Sequence, residues 1–225
     1  MHFEIKNLFI GKSKEYKLSN RVLNSAYEKE IQNEIYVSKL GVKNDEQVDK
    51  KNHGGVDRAV CIYSQGSYDF LEEKFNINLK ECSFGENITL ENCSDSDICI
   101  GDIFSCGETL LEVSQPRIPC FVISKVTGIK DLTRTLVQEC KIGFLLRTIK
   151  EGKISKSDSF NLEKRANKNY SIEFISKCYL NPVKYEKEVL ELLKVDSLAQ
   201  DYKDSLKSRL GRKTVGIEEF QKDII

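Results

Sequence analysis

The residues best suited to chemistry lie in V-S-Q-P-R-I-P-C-F, Val113 to Phe121. Two of the three prolines in the chain, Pro116 and Pro119, flank an arginine and lead to Cys120. Proline fixes φ and removes a backbone donor, so the stretch is expected outside helix interiors and central strands. The residue before each proline is pushed to extended geometry. A stiff, extended turn would then present Arg117 and Cys120 at defined positions. Positive charge beside a thiol favours the thiolate, which suits soft-metal or nucleophile chemistry. The plainer alternative is a rigid loop ending in a buried cysteine, since free cysteine is often buried.

The second dense stretch is K-N-H-G-G-V-D-R-A-V-C-I-Y, Lys51 to Tyr63. Gly54-Gly55 permits positive φ and close backbone approach. His53 and Arg58 flank it, and an apolar strand follows. That arrangement suits an anionic ligand, although a glycine pair is also an ordinary loop signal and a single histidine an ordinary loop hydrogen-bonder. In F-G-E-N-I-T-L, Phe84 to Leu90, Glu86 and Asn87 are either ligand contacts or caps of a glycine turn.

These segments need elements to hold them. A first strand is expected over Met1 to Ile10 and a helix over Ser67 to Phe75. Cys99 to Cys106 and Thr109 to Val113 are expected as a strand pair, with Asp102 in a turn. A helix over Asp131 to Cys140 has Asp131 as N-cap. Gly143 to Ile149 reads as a buried strand, in which Arg147 needs a partner or a ligand. A strand over Asp158 to Leu162 closes the sheet. Short strands at this spacing suggest a barrel or strongly bent sheet. From about Asn167 the texture becomes helical: Ser171 to Leu180, Tyr185 to Val195 and Ser197 to Leu210 form a small three-helix unit, and the polar tail after Gly211 is expected to fray. The division is therefore a mainly β, barrel-like α/β domain over 1–166 and a C-terminal three-helix domain over 167–225.

Bulk composition narrows the function classes. The chain has 225 residues, with 35 Lys plus Arg against 35 Asp plus Glu. It lacks the basic footprint of a general nucleic-acid binder. No run approaches the roughly 20 apolar residues of a membrane helix, and the charged N-terminus does not read as a signal peptide. A cytoplasmic protein without nucleic-acid or membrane partners is expected. The eight cysteines form no C-x-x-C pair and lack zinc-site spacing. All except Cys120 are read as small apolar residues in core or strand.

Five stretches in order then resemble one family: H-G-G-V-D-R-A-V-C at His53, F-G-E-N at Phe84, I-G-D at Ile100, S-Q-P-R-I-P-C at Ser114 and G-F-L-L-R at Gly143. They are similar to the MOSC domain in its YiiM-like branch, whose three-helix extension the C-terminus also resembles. The resemblance implies a β-barrel-like domain that binds molybdenum cofactor, a pterin dithiolene with a phosphate tail. Cys120 matches the metal-ligating cysteine, and His53, Arg58, Asn87, Arg117 and Arg147 are candidates for holding the cofactor. Two departures are Val56, where the family usually has proline, and Ser157, where it commonly has glycine.

The activity so implied is reduction of N-hydroxylated compounds such as hydroxylaminopurines, amidoximes and hydroxylamines. No G-x-G-x-x-G follows a strand, so electrons would come from a separate reductase. A cofactor or sulfur carrier without turnover is the alternative from another class. A metal-free thiol hydrolase, with Cys120 as nucleophile and His53 as base, is a third reading.

Overall fold

The computed structural model describes residues 1–18, 21–46 and 54–222. Strand β1, His2–Gly11, buries Phe3, Ile5, Leu8 and Phe9 and organises the sheet. A hairpin follows, β2 Lys14–Leu18 with β3 Arg21–Ser25, then β4 Lys29–Gln32, β5 Glu34–Ser38 and β6 Gly41–Val42. The glycine pair leads into a 3-10 turn, Val56–Arg58, and β7, Val60–Ser64. Gly55 adopts φ 108°, and Arg58 N donates to its carbonyl at 3.0 Å, so the turn closes with valine in the place of proline.

Helix α1, Gln65–Phe75, crosses from β7 to β8, Ile88–Leu90, which pairs parallel to β7. A parallel pair requires such a crossover. Ser64 caps α1 by accepting from Ser67 N. β9, Ile103–Cys106, and β10, Thr109–Pro116, form the expected antiparallel pair. Helices α2, Val122–Thr127, and α3, Leu132–Gln138, then lead to β11 Phe144–Lys150, β12 Gly152–Ser155 and β13 Ser159–Lys164.

β13 pairs with both β9 and β1, so the order β13-β9-β10-β11-β7-β8-β1 closes into a seven-stranded barrel, with β4 added beside β1. Its interior is filled by Leu8, Val60, Ile62, Ile88, Phe104, Leu111, Val113, Leu146 and Phe160, all at most 1 % exposed.

Helices α4 Ile172–Leu180, α5 Glu186–Leu192 and α6 Gln200–Gly211 occupy the expected C-terminal region. Ile172, Ile175, Leu192, Leu198, Tyr202 and Leu206 belong to the same apolar cluster as the barrel interior. Three short helices bury little alone, and this shared core is what stabilises them. Ala199 N adds a bond of 2.9 Å to Ser114 O on β10.

Two local expectations change, and a third gains a role. Val113 to Pro116 continues β10, and irregular backbone begins only at Arg117. Pro116 is the last strand residue, where its missing donor interrupts no further ladder. Asp102 does sit in the 99–102 turn, but it is fully buried and holds Arg165 at 2.7 and 3.0 Å while accepting from Cys99 N. The tail does not fray after Gly211. Residues 214–222 pack back onto the molecule because Arg209, wholly buried, ties Gly216 O and Glu218 to α6.

Candidate functional site

Six of the eight cysteines are buried, whereas Cys61 and Cys120 are partly exposed. Cys120 was singled out by its sequence context. Cys61 is expected in core or strand, and it does lie on β7, as a residue of intermediate burial. The signal for it was in the sequence, at the end of the glycine-turn motif, but cysteine type alone does not separate a buried position from an open one.

Arg117 acts on the Cys61 thiol, and both Arg117 and Cys120 act on Tyr27. The Arg117 guanidinium stands 5.8 Å from the Tyr63 ring centre, and Nη2 donates to Phe84 O at 2.6 Å. Tyr63, Tyr68 and Phe84 pack against one another, with Tyr63 and Phe84 centroids 4.3 Å apart, and this aromatic floor fixes the arginine's place. No carboxylate forms an ion pair with Arg117 among the described residues. Burial works against its charge, but Cys61, Glu86, Tyr63 and Tyr27 hold its pKa above the usual value. Burial raises the Cys61 thiol, with Arg117 and Lys29 opposing that rise.

Tyr27 completes this side. Its hydroxyl is buried and has no hydrogen-bond partner among the described residues. Burial first, then Glu86, pushes it well above the ordinary tyrosine value, so it keeps its proton. Gly85, at φ 69°, lies against the Tyr27 ring, and a Cβ there would stand 3.4 Å from it. Glu86 is an internal brace: fully buried, it accepts from Tyr68 Oη at 2.6 Å, Thr89 Oγ1 at 3.0 Å and Phe84 N at 3.3 Å.

Asn87 clamps Cys61. Its Oδ1 accepts from Cys61 N at 3.1 Å, and its own N donates to Cys61 O at 2.8 Å. Its Nδ2 donates to Asp45 Oδ2 at 2.9 Å. Asp45 also pairs with Lys29 at 2.8 Å, both side chains nearly buried. The amide group expected as a ligand contact therefore shapes the backbone around Cys61.

Two other expected residues lie in a different network. Arg147 holds Asp57 at 2.7 Å, Glu112 at 3.0 Å and Ser197 O at 2.9 Å. Its partner within the strand is thus a pair of carboxylates. Arg58 donates to Gly54 O at 3.2 Å and to Asp201 on α6 at 3.0 Å. Both arginines fasten the 3-10 turn to the barrel and the C-terminal helices. His53 lies outside the described residues.

The structure thus brings Cys61, Asn87, Arg117 and Tyr27 into one neighbourhood, with Cys120 three residues from Arg117 and close enough to raise Tyr27. The donor set fits an anionic, sulfur-rich cofactor. A partly exposed cysteine suits a soft metal, while the remaining donors of Arg117 and a buried hydroxyl without a hydrogen-bond partner among the described residues suit phosphate or polar pterin edges. Among the described residues no three His, Cys, Asp or Glu side chains cluster as metal ligands. A single thiolate suits a metal that arrives with sulfur ligands of its own.

Residues 49–161 match the family model described as MOSC domain. Protein YiiM of Escherichia coli is 34% identical over 60% of this chain and 62% of its own length. A Gibberella moniliformis protein named Reductase is 32% identical over 72% of this chain, which spans only 29% of that protein. The crystal structure of YiiM from Geobacillus stearothermophilus matches with a TM-score of 0.77 at 26% identity, covering 92% of this chain and 99% of that one.

Proposed function

Because this chain belongs to the MOSC family, in its YiiM-like branch, we propose that it is a molybdenum-cofactor-dependent reductase of N-hydroxylated compounds, with Cys120 as the metal ligand. Family membership supports a function associated with molybdenum cofactor, and the fungal relative's name supports reduction as the reaction class. The single observation that carries the reading is that Cys120, partly exposed, stands three residues from a guanidinium without a carboxylate ion pair among the described residues.

When bound, the cofactor supplies two-electron reduction of an N–O bond; with two protons this turns an N-hydroxy group into an amine and water. The chain's own groups bind and orient. Cys120 is the anchoring thiolate. Arg117 offers its remaining guanidinium donors to anionic oxygens, a geometry lysine does not reproduce. Tyr27, held protonated, is a hydrogen-bond donor inside the site. A separate reductase supplies the electrons.

The test is molybdenum content and 6-hydroxylaminopurine reduction with a chemical electron donor, on wild type and Cys120→Ala from a host that makes the cofactor. Near-stoichiometric molybdenum and turnover in wild type, both lost in the variant, are expected. Molybdenum without turnover would favour a carrier. Folded wild type without molybdenum would sink the ligand role of Cys120.

A further inference from the structure

The backbone leading into Cys120 has few bonds of its own. Pro116 and Pro119 remove two amide donors, and residues 117–121 join no ladder. Beside Gly143 O, which accepts from Arg117 N at 3.1 Å, part of the support comes from the far end of the chain. We propose that residues 214–222 form a strap that positions Cys120, with Gln221 as its positioning residue.

Consecutive strap residues hold the peptides on both sides of the cysteine. Gln221 Nε2 donates to Pro119 O at 3.2 Å, and Phe121 N donates to Phe220 O at 3.0 Å. From a third side, Thr133 Oγ1 and Ile123 N donate to Cys120 O at 3.1 and 3.2 Å. Gln221 is 2 % exposed while its neighbour Phe220 is 45 % exposed. A buried amide side chain costs stability unless both ends are bonded. Here they are, because Oε1 accepts from Glu218 N at 2.9 Å in a capping box.

The strap itself is anchored. Gly216 N donates to Leu180 O at 2.7 Å. Arg209 is fully buried, lies 4.5 Å from the Tyr179 ring centre, and donates to Tyr179 O and Gly216 O at 2.7 Å each. Glu218 closes the post through Arg209 at 2.6 Å. The C-terminal helices thereby acquire a role at the site: they hold the post around which the strap returns to the cysteine loop.

The bearing of this strap on metal ligation rests on the reading of Cys120 given above, but its hold on the loop does not. The test therefore uses full-length protein without cofactor. Iodoacetamide alkylation is followed cysteine by cysteine by mass spectrometry from pH 6 to 10. Gln221→Met keeps the shape and loses both bonds. Gln221→Glu keeps the acceptor for Glu218 N and loses the donor to Pro119. Both are expected to raise the Cys120 rate at least fivefold and to move its pH midpoint, while buried Cys178 stays slow. Unchanged Cys120 rate and midpoint in either folded variant would overturn the strap, as would an equal rise at every cysteine. In wild type, the Phe121 amide is expected to exchange as slowly as the amide of Gly216; fast exchange there would overturn it without any variant. Altered alkylation together with no molybdenum in wild type would sink only the metal role.

Discussion

Arg117 Nη2 meets the carbonyl of Phe84 at 2.6 Å, so a cation on the proline loop is seated on the glycine turn before β8. The contact joins two sequence motifs that are otherwise separate, and it leaves the rest of the guanidinium fork without a carboxylate among the described residues.

Arg117→Lys keeps the charge and loses the planar fork. We expect molybdenum content per chain to fall at least tenfold with little change in melting temperature. Metal analysis of protein from a cofactor-producing host measures it, and full loading of the variant would exclude Arg117 as a cofactor contact.

Arg147→Ala acts elsewhere. It releases Asp57, Glu112 and Ser197 O, which are partly exposed, so a loss of about 1–2 kcal/mol is expected. Urea unfolding would show it as a lower midpoint. Cysteine alkylation should stay near wild type, since this network is separate from the Arg117 seat.

Gly143 adopts φ 73°, and an added Cβ would collide with Ile62 O and stand 2.8 Å from the Tyr63 ring. Gly143→Ala is expected to cost about 3 kcal/mol through strain and overlap. Its carbonyl also accepts from Arg117 N at 3.1 Å, so the variant should lose cofactor as well as stability. A melting temperature within 2 °C of wild type (roughly 0.5 kcal/mol at this size) would contradict the packing described.

Asp95 is 1 % exposed and accepts from Ile142 N and Gly143 N at 3.0 and 2.9 Å through one oxygen, while Oδ1 has no partner among the described residues. Burial pushes its carboxyl from 3.8 up to about 6, against the lowering by those two amides. The folded state therefore holds a proton that the unfolded state has released between these values. Stability from this group is full below about pH 4 and is lost as pH rises through about 6. The roughly two-unit shift corresponds to about 3 kcal/mol. The stability of wild type relative to Asp95→Asn should fall by up to that amount between pH 4 and 7. A pH-independent difference in urea unfolding would rule this out.

The elements were legible where periodicity was strong. The first strand, the helix after β7, the β9–β10 pair and the three C-terminal helices lie close to where alternation and helical spacing place them. Barrel closure was implied by short strands and turn signals. Asp102 was readable as a turn residue but not as the buried partner of Arg165, since the two meet only when β13 lies beside β9.

The site divides in the same way. Residue type and spacing were enough to mark Cys120 and Arg117, because two prolines around an arginine restrict the backbone by local sterics alone. Cys61 ends the glycine-turn motif and Tyr27 and Lys29 lie in none, and the importance of all three depends on burial and on neighbours distant in sequence. The same holds for Asn87, Arg58 and Arg147, whose side chains are committed to partners that only the closed barrel and packed helices supply. The tail shows the limit most plainly. A polar segment after a helix has no reason to stay ordered until a buried arginine and a proline-interrupted loop are brought beside it. Local sterics and periodicity are written along the chain, whereas which polar groups find partners is decided by the tertiary structure that removes them from water.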